Sequence, residues 1–134
     1  MSASAPVWHH LFLEVMPMGQ YFVIANMDKK EYINPHKMAF GAKLWEIAVN
    51  TIAAVFPFLL RQSSEGGGGD IDFDSKYAGC WAGDRIVVVG DYDESGLYDF
   101  VKVSPEWKEI SPEILDELNK FIGVKEMQIE LMDF

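Results

Sequence analysis

Cysteine is nearly absent: Cys80 is the single one in 134 residues. A lone thiol excludes an intramolecular disulfide and any cysteine-based metal cluster, and it fits a reducing, cytoplasmic setting. Positive charge is also scarce. Against 11 Lys and Arg stand 21 Asp and Glu, a formal net charge of -10, and seventeen of those acids lie from Glu65 onward. A surface of that sign repels nucleic-acid phosphates and anionic membranes, so neither is an expected partner. No apolar run is long enough to span a bilayer; the strongest, Thr51 to Leu60, is preceded by Asn50 and Glu46. A signal peptide is not expected, because a basic leader is missing and His9, His10 and Glu14 interrupt the first apolar stretch. Phosphate cradles are missing as well. Gly66 to Gly69 are not followed by Lys-Ser or Lys-Thr, Gly83 and Gly90 make no dinucleotide fingerprint, and no Gly-x-Ser-x-Gly elbow occurs. No cofactor is therefore expected.

What is present is enough for a folded domain. Apolar residues make up 49% of the chain and charged residues 24%, an ordinary balance for one hydrophobic core. Residues 1–17 read as an N-terminal arm and 18–134 as a single globular domain. Tyr21-Phe22-Val23-Ile24-Ala25 reads as a strand, Asn26 to Lys30 as a turn, and Glu31-Tyr32-Ile33 as the return strand of a hairpin. Leu44, Ala48, Thr51, Ile52, Val55, Phe58 and Leu59 recur at helical steps, predicting one helix from Ala42 to Leu60 that Pro57 ends or kinks. Residues 62–76 form a Gly- and Asp-rich surface loop. The continuous run Ile86 to Val89 predicts a central strand covered on both faces. Leu97 to Val103 reads as a further strand. Ser111-Pro112-Glu113 reads as a capped helix start and Gly123 as its left-handed end. Met127, Ile129 and Leu131 alternate as a last, edge strand. Together these predict an α+β fold: a small mixed or mainly antiparallel sheet packed with two helices.

Possible chemistry gathers around the run Trp81 to Glu94, where carboxylates and glycines bracket the strand. His36, after the restricted Pro35, is the best acid–base candidate near neutrality, with Asp84 or Asp91 to orient it. Its plainer reading is a residue that ties the Pro35 turn. Cys80 reads as a small buried hydrophobe, the alternative being a nucleophile served by His36. Arg85 is expected in a structural ion pair with Asp28, Glu31 or Glu46. Asp91, Asp93, Ser95 and Asp99 take the spacing of a calcium loop, yet Lys102 stands where the bidentate glutamate belongs, so a turn is the simpler reading. Asp70, Asp72 and Asp74 read as a solvated flap.

Two segments carry a resemblance. One runs from Met18-Gly19-Gln20-Tyr21 through Asp28-Lys29-Lys30-Glu31 and Pro35-His36-Lys37 to Gly41-Ala42-Lys43-Leu44-Trp45-Glu46. The other is Trp81-Ala82-Gly83-Asp84-Arg85-Ile86 with Gly90-Asp91-Tyr92 and Leu97-Tyr98. In combination they resemble a family of uncharacterised conserved proteins of bacteria and fungi. The resemblance implies no established activity. It implies that the chain proper starts at Met18, which makes residues 1–17 an extension.

The functional expectation is a protein-binding or regulatory module. The acidic surface, the incomplete catalytic set and the aromatic-rich arm all favour it, with Trp8 and Phe12 as anchors. The partner is a protein, including a second copy in a homodimer. The alternative is a small hydrolase or lyase-like enzyme using His36 with Asp84 or Asp91.

Overall fold

Chain segments rich in Val, Ile and aromatic residues meet as a four-stranded mixed sheet in the computed structural model, which describes residues 19–38 and 41–124. The strands are β1 (Phe22–Asn26), β2 (Glu31–Ile33), β3 (Ile86–Gly90) and β4 (Lys108–Glu109), in the order β3-β1-β2-β4. β1 runs antiparallel to both β2 and β3, whereas β4 joins β2 in parallel. The fold is α+β.

The hairpin closes because Asn26 caps its own turn. Asn26 Oδ1 accepts the N–H groups of Asp28 and Lys29, each at 2.9 Å, and Lys30 takes a left-handed φ of 56°. An amide side chain that tolerates such tight geometry is what an Asx turn requires.

Four α-helices complete the described chain: α1 (Leu44–Val49), α2 (Val55–Leu60), α3 (Leu97–Val103) and α4 (Ser111–Gly123). Short 3-10 turns occupy Pro35–Met38 and Thr51–Ala54. The single helix expected from Ala42 to Leu60 is instead broken at Asn50, which takes an extended backbone. Pro57 lies in the first turn of α2, where a missing N–H costs no intrahelical bond. The last carbonyls of α2 are taken from outside: Phe58 O accepts Gly79 N–H at 2.8 Å and Leu59 O accepts Trp81 N–H at 2.9 Å. Gly79 has φ 77°, and a Cβ there would stand 2.3 Å from Arg61 O, so glycine fits this seam for two reasons.

Leu97 to Val103 is helical, not a strand. Its β-favouring composition is overridden by spacing: Leu97 and Val101 fall one turn apart and pack with Tyr98 against the sheet. Ser111 does not cap α4 either. It is the first helical residue, and its Oγ accepts the Asn34 N–H at 2.8 Å. Gly123 ends α4 without a positive φ. The expected arm over residues 1–17 and the strand at Met127 to Leu131 lie outside the described residues.

The sheet is covered on both faces. On one, Ile24, Ile33, Phe58, Trp81, Ile114 and Leu118 form the larger core beneath α2 and α4. On the other, Val23, Ala25, Val89, Val101 and Trp107 form a smaller one beneath α3. β1 is the central strand, with Val23, Ile24 and Ala25 fully buried. β3, expected there, is an edge strand. Its unbroken apolar run reflects helices on both faces, and hydropathy does not record how many strands lie beside it.

Candidate functional site

β3 organises three features: a polar clasp where it starts, a turn where it ends, and between them an edge that no other described strand pairs. At the start, Asp28 in the hairpin turn grips Arg85. Its Oδ2 accepts the Arg85 N–H at 2.7 Å, and its Oδ1 accepts Nε at 2.9 Å and pairs with Nη2 at 2.8 Å. The backbone N–H first, and the guanidinium next, hold this carboxyl below its ordinary range. Beside it, Asp84 Oδ2 accepts Asn26 Nδ2 at 2.9 Å and pairs with Lys29 Nζ. The Asn26 bond and then Lys29 lower the Asp84 pKa. Glu31 Oε1 accepts the indole N–H of buried Trp81 at 2.8 Å.

Cys80 lines a pocket of about 260 Å³ with Lys29, Glu31, Tyr77 and Ile110. Burial, helped by the charge of Glu31, pushes its thiol up to about 11. Such a thiol is protonated at neutral pH and is a poor nucleophile. The carboxylates of the clasp are engaged in pairs that fix the hairpin to β3, which is a structural role.

At the far end Asp91 and Tyr21 bond reciprocally: Asp91 N–H to Tyr21 O at 2.9 Å and Tyr21 N–H to Asp91 Oδ1 at 3.0 Å. The exposed His36 ring lies 4.8 Å from that of Tyr21, and its backbone N–H is held by Asn34 Oδ1 at 3.2 Å. His36 thus lies at the Asp91 end of the sheet. Asp84 lies at the other, since Tyr21 and Asn26 are about 16 Å apart along β1. Among the described residues no hydrogen bond or ion pair joins His36 to either carboxylate. Asp91, Asp93 and Asp99 serve separate purposes. Asp93 accepts from the N–H and hydroxyl of Ser95, while Asp99 lies in the first turn of α3. Among the described residues no group of three or more His, Cys, Asp or Glu is placed to hold a metal. Trp8 and Phe12 lie outside the described residues.

The open edge follows from register. Flanking bonds join Met27 to Arg85 and Tyr21 to Asp91. In an antiparallel ladder hydrogen-bonded pairs alternate, so Val87 and Val89 turn their backbone groups toward Ala25 and Val23. Ile86, Val88 and Gly90 therefore turn theirs away from β1. A groove of about 380 Å³ runs there, lined by Gln20, Phe22, Val88, Gly90, Tyr92 and Asp93 among others. Gly90 is needed where it stands: a Cβ would lie 2.5 Å from Gln20 Oε1 and 2.7 Å from the Phe22 ring that covers it.

No family model, curated protein or solved structure matches the chain. Function is thus read from geometry, and the two sheet edges differ sharply. The β4 edge is two residues long and fenced by the ion pairs Lys30–Glu106, Lys37–Glu109 and Lys108–Glu113, at 2.7, 2.9 and 2.7 Å. Short, charged edges are how sheets avoid unwanted pairing. β3 has five residues, no charge, no proline and an unbroken register. Sequence reasoning found the bracketing carboxylates and missed this edge. The available signal was an apolar run without a single lysine or proline to guard it.

Proposed function

We propose that the chain is a protein-binding module that takes up an extended segment by strand addition at β3. One observation carries this reading. The backbone groups of Ile86, Val88 and Gly90 face away from β1 along an apolar edge that no other described strand pairs, and main-chain bonds from an added strand are the natural partner for such a row. Side chains of the added strand would alternate between the two covered faces, which favours a segment with small apolar residues on one side. Acidic groups at the groove's end, Asp91 and Asp93, favour a cation there. No observation among the described residues assembles an acid–base pair around His36.

Selection of displayed peptides against the full chain tests the reading, followed by amide hydrogen exchange on the winners. At a chain concentration low enough to leave β3 unpaired, extended peptides should bind and slow exchange at Ile86, Val88 and Gly90, leaving the β4 edge unchanged. Binders that protect only other surfaces, with β3 amides exchanging as before, would refute strand addition.

A further inference from the structure

We infer that the strand added at β3 is β3 of a second copy, paired antiparallel about a two-fold axis at Val88. The inference rests on the strand-addition reading and names its occupant. The outward row is self-complementary. With Val88 opposite Val88 of the second copy, Ile86 faces Gly90 and Gly90 faces Ile86, so all three outward residues meet outward residues. Each such pair exchanges two bonds, giving six backbone hydrogen bonds, two of them second bonds to a Gly90 carbonyl that already accepts the Asp93 N–H at 3.1 Å. A shift of two residues in either direction leaves one residue of each row without a partner, and a shift of one sets outward groups against inward ones.

Charge selects the same register. At the two ends it places Arg85 opposite Asp91 of the second copy, twice by symmetry, with both side chains on the same face. These groups have capacity left. Arg85 is 79% exposed and uses Nε and Nη2 on Asp28, while Asp91 uses Oδ1 on Tyr21. That leaves Nη1 and Oδ2 without a partner among the described residues. The result is one eight-stranded sheet with the charged β4 edges outermost. A foreign strand would have to reproduce both the spacing and the terminal charges that a second copy already possesses.

Light scattering of the full chain at rising concentration should give twice the 15.2 kDa chain mass. Val88→Pro removes an outward N–H and no bond to β1, so it should abolish the dimer and, at dilutions where both proteins are monomers, lower the melt much less than Val87→Pro. Val87→Pro removes a bond to β1 and should lower the melt itself. Val88→Cys should cross-link into a covalent dimer under mild oxidation, since paired Cα atoms lie about 5.5 Å apart. Ile86→Cys, about 13 Å from its symmetry mate, should not. A dimer that survives Val88→Pro, or Ile86→Cys cross-linking in place of Val88→Cys, overturns the inference. So does a monomer at every concentration, whatever other segment covers the edge. If that monomer still binds peptides that Val88→Pro rejects, only the second copy fails and strand addition stands. If it binds none, both fall.

Discussion

Asn26 shows how one side chain joins three parts of the molecule. It is fully buried, accepts two turn N–H groups and donates to Asp84. With the Asp28–Arg85 pair it makes β3 an extension of the hairpin turn. Both carboxyls have folded pKa values depressed below the ordinary 3.8. For a depressed acid, the stabilisation is present above the unfolded value and is lost as pH falls through the folded one. Urea melts between pH 7 and pH 2 should therefore show wild type losing stability below about pH 4. An Asp28→Asn, Asp84→Asn variant should start less stable at pH 7 and fall less steeply. Parallel acid limbs in the two proteins would show that the clasp contributes nothing.

Legibility was best at the level of the element. The hairpin could be read because β-propensity and Asx-turn chemistry agree at Asn26, and the start of α4 because proline favours the first turn. The long helix fails at Asn50, since apolar spacing continues across a break that only backbone geometry reveals. α3 departs from its composition for the opposite reason: aromatic and β-branched residues favour strand, yet packing of Leu97 and Val101 on one face wins. Of the site, the carboxylates were legible as residue types, whereas their division between opposite ends of β1 is a product of register. Register also fixes Gly90, whose missing side chain makes room for Phe22. Gly90→Ala should cost about 1–3 kcal/mol in a urea melt, because the ring cannot yield as freely as the Gln20 amide. A loss below about 0.5 kcal/mol would mean that β3 drifts away from β1 at no cost.

At the scale of the whole molecule, the net charge of -10 opposes any meeting of two copies. Two such charges repel by several kcal/mol at about 0.01 M ionic strength and by under about 1 kcal/mol at about 0.15 M. Sodium chloride over that range should tighten self-association by about a hundredfold, read by sedimentation. Calcium and magnesium at matched ionic strength should do no more than sodium, because Asp91, Asp93 and Asp99 form no group placed to hold a metal. A calcium-selective effect would contradict that placement. No helix among the described residues is long and apolar enough to cross a membrane.

The clasp also sets the order in which the molecule can assemble. Asn26 and Asp84 are 58 residues apart, and Asp28 and Arg85 are 57 apart, whereas the hairpin closes over a handful of residues. Joining distant segments carries an entropic cost that local contacts avoid. Loop-closure entropy therefore predicts that the hairpin forms before β3 docks on it across α1, α2 and the loop beyond them. Until then the Val-rich strand has both edges bare, and the newly made chain is at its most vulnerable to joining its neighbours.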